Sequence, residues 1–331
     1  MVVVLVRRLI AGALALCAAA ALVACSRPAG RGPAAQPTAG STTPSPAGAP
    51  VPGATAAPDD VWRTVEDFPA PPAEWWDPGY IVSDANFFDA TSMTAEQIDD
   101  FLDRQVPFCS LWHAKSENPN DSGLPYVCLR YRVWSIPAFD ERGENGTMYC
   151  QPIAPQSLVS TGVVIATIAA ACGISPKTLL VTLEKEMGLV TDFWPWEIQF
   201  RSALGYACPD SAPCDPDFYG FVGQIYWAAR QFQVYVQRPE LFNFQPGTTA
   251  SILYGPECEQ RGDVAIRNAA TAALYNYTPY QPSRFVVEGG KGGGPCDAYG
   301  NYNFWKVWFD WFGDPAADDP SQARRLPEPT R

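Results

Sequence analysis

The stretch "SPKTLLVTLEKEMGLVTDFWP", Ser175 to Pro195, decides how this chain is read. Ser175 is a good N-cap, and Pro176 suits the first helical position, where no backbone donor is needed. Leu179, Leu180, Leu183, Met187 and Val190 recur at helical spacing and form an apolar stripe roughly 100° wide. Lys185 falls on the far side. Glu186 lies about 70° from the stripe's centre, beside Leu179 and Leu183, and Glu184 lies about 90° away at the other border. Of the two, Glu186 is expected to be partly desolvated. A carboxyl group against apolar walls has a raised pKa and can act as a general acid near neutral pH. The plain alternative is that both glutamates flank a core helix and touch solvent.

Upstream of this helix the chain changes character twice. Residues 1–24 hold Arg7 and Arg8 followed by "LIAGALALCAAAALVAC", a positive start and an apolar run, which is the pattern of an export signal. The run ends in "LVAC", Leu22 to Cys25, which resembles a bacterial lipobox with Cys25 as the lipidated residue. Residues 25–60 are dominated by Pro, Ala, Gly, Ser and Thr and cannot bury a core, so a disordered, partly extended linker is expected. These features imply an exported protein on a lipid anchor, facing the cell wall from the outer face of the plasma membrane. The later apolar stretch "LVSTGVVIATIAAACG" is short and Ala-rich and reads as a buried helix.

Cys109, Cys128, Cys150, Cys172, Cys208, Cys214, Cys258 and Cys296 remain after the export signal and Cys25. An even number in an exported chain points to disulfides. Cys208 with Cys214, closing "CPDSAPC", is the safest pair, because the loop is short and rich in turn formers. No cysteine pair has zinc spacing, and His113 is the only histidine. A metal site, a cofactor and a serine–histidine hydrolase are therefore not expected. The net charge of −12 and the lack of a basic stripe argue against nucleic acid as a partner. Trp and Tyr are abundant and could line a sugar cleft, but core packing covers most of them.

Thr94 with Gln97 makes a capping box for a helix to about Gln105. Residues 61–154 otherwise read as an irregular, disulfide-stapled N-terminal lobe. Helices are expected near 157–172, 175–190, 218–237, 262–277 and 303–312, with Gly173 stopping the first. Together they make a mainly α domain over 155–313. The polar tail 314–331 is expected to fray.

Two further segments stand out. In "FYGFVGQIYWAARQF", Phe218 to Phe232, two glycines allow close backbone approach and Gln224 comes next, with an amide suited to acetamido and hydroxyl groups. In "ATAALYNYTPYQP", Ala270 to Pro282, a small-residue helix ends in Tyr275 and Asn276. Structural alternatives are close helix packing for the glycines and a polar helix stop for Asn276.

Glu on a helix, then Gly-x-x-Gly-Gln, then Ala-x-x-Tyr-Asn resembles the lysozyme-like superfamily of goose-type lysozymes and bacterial lytic transglycosylases. The chain from about Ile81 to Gly313 is also similar to secreted actinobacterial proteins labelled hypothetical or haemagglutinin-like, through phrases such as "SDANFFD", "LLVTLEKEMGLV" and "YGNYNFWKVWFDWFG". The resemblance implies a lysozyme-like helical fold and cleavage of peptidoglycan glycan strands. It implies Glu186 as general acid, and Gln224 and Tyr275–Asn276 as glycan contacts. Met187 stands where the family carries Ser, and "GYACPDSAPCD" lengthens the spacing to the second motif. Trp194, in "DFWPWE", could supply a sugar-stacking wall. An inverting hydrolase would need a second carboxylate, for which Asp192, Asp210, Asp215 and Asp217 are open choices. A transglycosylase needs none. The competing reading is a non-catalytic glycan-binding adhesion module, and a third is an envelope scaffold for partner proteins.

Overall fold

The computed structural model describes residues 63–109, 127–143, 146–209, 212–319 and 321–325. Cys25, the segments on either side of it, His113 and Asp210 lie outside these residues. The described residues are helix-rich, with two small antiparallel hairpins and four disulfides. The order is α1 (Asp84–Phe88), α2 (Ala95–Gln105), β1 (Val133–Ile136), β2 (Gln156–Ser160), α3 (Thr161–Cys172), α4 (Pro176–Met187) and α5 (Glu197–Arg201). Then come α6 (Phe221–Gln237), β3 (Thr248–Leu253), β4 (Arg261–Ile266), α7 (Ala269–Tyr277), α8 (Arg284–Val287) and α9 (Gly300–Phe312).

The helix within Ser175–Pro195 is α4, and it is the centre of the fold. Ser175 caps it, its hydroxyl accepting from Lys177 N, and Gly188 ends it in the left-handed region at φ 59°. It packs against α9, α3 and α1. Every residue from Thr178 to Glu184 is buried. A 100° stripe was the expectation, and full enclosure is the finding. Its reason is compositional: between Lys177 and Glu184 there is no charged side chain, so α4 has no solvent face to offer. Thr178 and Thr182, off the stripe, are buried because their hydroxyls donate to the carbonyls of Phe87 and Thr178.

The region before residue 155 shares one core with the helices after it. Ile81, Phe87, Ile98 and Phe101 join one apolar cluster with Leu179, Leu183, Phe232 and Trp308. β1 pairs with β2 across the expected boundary at 154, and α2 packs on α3. At that crossing Asp99 accepts hydrogen bonds from Ser160 Oγ (2.5 Å) and Gly162 N (2.7 Å). A Cβ at Gly162 would collide with the Ala95 carbonyl oxygen and the Asp99 carboxylate.

Residues 157–160 and 262–266, expected at the starts of helices, are strands. In "RGDVAI" exposure alternates along the strand, with Val264 and Ile266 turned inward, a period of two that suits a half-buried hairpin. The tail also departs from expectation. Asp314 is buried and accepts from Arg324 Nε (2.5 Å) and Nη2 (2.8 Å), and Arg324 Nη1 donates to the Trp75 carbonyl. Burial pushes the Asp314 carboxyl up, but the hydrogen bonds from Arg324 and Ala316 outweigh it and hold the group below its ordinary value. Arg324→Ala is therefore expected to cost about 2 kcal/mol, because it leaves a buried carboxylate without its partner. Thermal melts check this, and hydrogen exchange should then be fastest within 314–325.

The expected Cys208–Cys214 bond is present, and Cys109–Cys128, Cys150–Cys172 and Cys258–Cys296 complete the set. Among the described residues no single helix is long and apolar enough to cross a membrane; α3 and α4 reach that length only together, with a 117° bend between them.

Candidate functional site

Glu186 lies in the last turn of α4, where the helix emerges from the core. Its side chain is 26% exposed, and its Oε1 stands 2.5 Å from Lys185 Nζ. Lys185 was expected on the solvent side. It is instead 4% exposed, because the end of α7 covers that side of α4. Its ammonium donates to Thr278 Oγ1 (2.8 Å) and sits 5.1 Å from the centre of the Tyr277 ring. Across from Glu186 is Gly205, at φ 65°; a Cβ there would come within 3.7 Å of Glu186 Oε2. The Tyr277 hydroxyl donates to the carbonyl of Leu204, one residue before Gly205. Burial, and secondarily the Glu186 charge, raise that hydroxyl well above its ordinary pKa.

Gln224 is at the start of α6 and is completely buried. Its Oε1 accepts from Leu204 N (3.2 Å) and Tyr206 N (3.0 Å); its Nε2 donates to Tyr206 O (3.0 Å) and Phe218 O (2.8 Å). All four bonding positions of the amide are filled by backbone. The expected glycan contact is thus corrected: Gln224 holds the loop that carries Gly205 against Glu186. Gln224→Ala would strip partners from four backbone groups and is expected to destabilise the fold by about 3 kcal/mol. Chemical denaturation checks this, with faster hydrogen exchange at 204–206 as its signature.

The third motif is also turned inward. Tyr275 is fully buried, its hydroxyl has no hydrogen-bond partner among the described residues, and burial raises its pKa. Asn276 accepts from Phe244 N (3.1 Å) and donates to Phe244 O (2.7 Å). Neither is a free sugar contact. Tyr277, two residues on from Tyr275, is the aromatic that meets Glu186 through Lys185, and the motif spacing gave no sign of it.

Trp194 is half-buried on a segment folded back on the end of α4. Asp192 organises this segment, accepting from Trp194 N (2.7 Å) and Gln199 Nε2 (2.9 Å), and Gln199 also donates to the Met187 carbonyl (2.8 Å). Burial raises the Asp192 pKa. Asp215 and Asp217 are exposed in a turn of their own, where Asp215 accepts from Asp217 N. Of the four aspartates considered as a second carboxylate, Asp192 and Asp215 are engaged in these turns, and Asp217 contributes only its backbone N–H to the second.

The desolvated carboxyl is Glu184, not Glu186. Glu184 is 0% exposed. Its Oε2 accepts from Val190 N (3.0 Å) and Thr191 N (3.1 Å), and Thr191 Oγ1 lies 2.6 Å from its Oε1. Thr191 Oγ1 also donates to the Arg63 carbonyl at 2.8 Å. A hydroxyl has one proton, and a carbonyl can only accept. Both contacts are hydrogen bonds together only when Glu184 carries a proton of its own. Burial, opposed by the hydrogen bonds from Thr191 and Val190, raises its pKa from 4.5 to about 7.

No family model, curated protein or solved structure matches the chain. The site therefore rests on its own geometry. That geometry brings α4's end, the loop held by Gln224 and the end of α7 to one place. The first and last of these belong to segments singled out in the sequence, while the second motif, Phe218–Phe232, enters only through Gln224, which holds the loop of Gly205.

Proposed function

We propose that this chain cleaves the glycan strands of peptidoglycan on a lysozyme-like arrangement of helices, held at the outer face of the plasma membrane by lipid on Cys25. The observation that carries this reading is the convergence of three distant segments on Glu186, the solvent-reaching carboxylate at the end of the central helix. Protonated from solvent once it leaves the Lys185 ammonium, Glu186 donates that proton to the glycosidic oxygen as the bond from that oxygen to C1 breaks. To do so it must exchange its contact with Lys185 for the substrate. With no described aspartate among the contacts of Glu186, the sugar's own hydroxyl is the better nucleophile. It attacks C1, closes an anhydro ring and returns its proton to Glu186. The enzyme needs neither metal nor cofactor for this step.

Incubation of the protein with purified peptidoglycan, with mass spectrometry of the soluble fraction, tests the reading. Anhydro products, lighter by one water than hydrolytic ones, support it. Hydrolytic products would retain cleavage and replace the nucleophile with water. Glycan retention with no released product would replace the enzyme with a glycan-binding, haemagglutinin-like module on the same scaffold. The Lys185–Glu186 pair favours that second reading, because an ion pair at a helix end needs no catalytic role to persist.

A further inference from the structure

The amides of the sequence motifs are filled by backbone partners, as Gln224 and Asn276 show. Unfilled polar groups collect elsewhere, around a groove of about 470 Å³ between the segment before β3 and the outward side of that strand. Asn243, Phe244, Gln245, Thr249, Ser251 and Arg261 line it. Among the described residues the side chains of Asn243, Thr249 and Ser251 make no hydrogen bond, so each offers its groups to whatever enters. No carboxylate is among the described residues that line the groove. Its one guanidinium, on Arg261, donates to the Ser251 carbonyl at 3.2 Å.

The walls are already in place. Thr248 Oγ1 donates to the Gln245 carbonyl (2.7 Å), Gln245 Nε2 donates to the Phe242 carbonyl (3.3 Å), and the Phe244 ring packs on Tyr275. Above all, Asn276 holds the Phe244 backbone through both halves of its amide. Its chain neighbour Tyr277 is the residue under Lys185 and Glu186. The end of α7 thus fixes a wall of the groove with one residue and the Glu186 surroundings with the next. A pre-formed site with hydroxyl and amide groups, an aromatic and little net charge suits an uncharged polyhydroxylated ligand. A cation would find no carboxylate, and an anion would find a single guanidinium that has already given one N–H to the Ser251 carbonyl.

We infer that this groove is a saccharide-binding subsite, which takes an uncharged N-acetylated stretch of glycan beside the Glu186 site. The inference rests on the proposed glycan cleavage and gives Asn276 a positioning role in it. Full-length Glu186→Gln protein should bind the β-1,4-linked tetramer of N-acetylglucosamine, with slower hydrogen exchange across 243–251 on binding. The double variant Asn243→Ala, Thr249→Ala, made in the Glu186→Gln background, removes polar groups from exposed positions without disturbing the core. It should weaken binding roughly tenfold, the equivalent of two hydrogen bonds. Ser251→Trp, which places a ring in the groove from an exposed position of β3, should abolish protection at 243–251.

Protection confined to 202–208 and 275–278, with binding unchanged by the double variant, would overturn the subsite and leave the cleavage reading standing. So would failure of the tetramer to bind while wild-type protein still cleaves peptidoglycan. Protection of 243–251 by a sugar-free stem peptide, and not by the tetramer, would overturn the saccharide subsite and assign the groove to peptide. Tetramer binding in the groove by a protein that releases no product would keep the subsite and remove the enzyme.

Discussion

Glu184→Gln is expected to make the protein more stable at pH 8 by up to about 3 kcal/mol, with little gain at pH 4. Below pH 4.5 the carboxyl is neutral in the folded and unfolded chains alike. Between 4.5 and about 7 the unfolded chain ionises it freely, while the folded chain, with its pKa raised to about 7, retains the proton. The folded state then binds more protons, so stability falls as pH rises through this window. Above it both states are ionised and the full penalty of a buried charge remains. Glutamine removes the ionisation. Its Nε2 can donate to Thr191 Oγ1 while its Oε1 accepts from Val190 N and Thr191 N, the pattern of the protonated acid. The charged group that acts on Glu184 is Asp192, which raises its pKa further. Asp192, also raised by burial, contributes a slope of the same sign that the variant retains. Urea unfolding of both proteins from pH 4 to 8 measures the difference. Parallel loss of stability in the two would show that Glu184 is already ionised in the folded state.

Glu186→Gln is expected to leave the fold and glycan binding near normal and to lower cleavage by about 10²–10⁴-fold. The amide oxygen can still accept from Lys185, so the buried ammonium keeps a partner. What is lost is the proton for the leaving oxygen. Initial rates on peptidoglycan, beside a melting curve and a binding isotherm for each protein, separate these effects. Glu184→Gln serves as the control: it neutralises a carboxyl two residues away that does not reach solvent, and cleavage should stay within a few-fold of wild type. Full cleavage by Glu186→Gln would remove the carboxylate from the chemistry and return it to a pairing role with Lys185.

Local features of this fold were legible in the sequence. Ser175, Thr94 with Gln97, and Gly173 act as the caps and stops that their residue types suggest. Cys208 finds Cys214 across a short turn. Helical periodicity located α4 but misjudged its surroundings, because a stripe records where leucines fall and not how many neighbours enclose the helix. Enclosure by α1, α3 and α9 buries Glu184, and the end of α7 covers Lys185. The same limit applies to the amides. Gln224 and Asn276 bear the donors and acceptors a glycan would want, and backbone carbonyls and N–H groups present the same chemistry from inside the protein. Sequence separates the two only when the fold is known. The hairpin of β3 and β4 escaped for a further reason: its helical neighbour α7 begins three residues after its last residue, and a run of small residues reads smoothly into that helix.

Gly162 has a consequence for how this protein can change over generations. The backbone of α3 starts so close to α2 that no side chain fits there, and the Asp99 carboxylate closes round the same N–H. Glu186, by contrast, stands partly in solvent with room on one side. A lineage could therefore replace Glu186 at small structural cost, while any lineage that retained the fold would have to retain Gly162. Among descendants of this chain, glycine at that crossing should mark those with the same architecture, and the carboxylate at the end of α4 should mark the smaller group that carries the proposed cleavage.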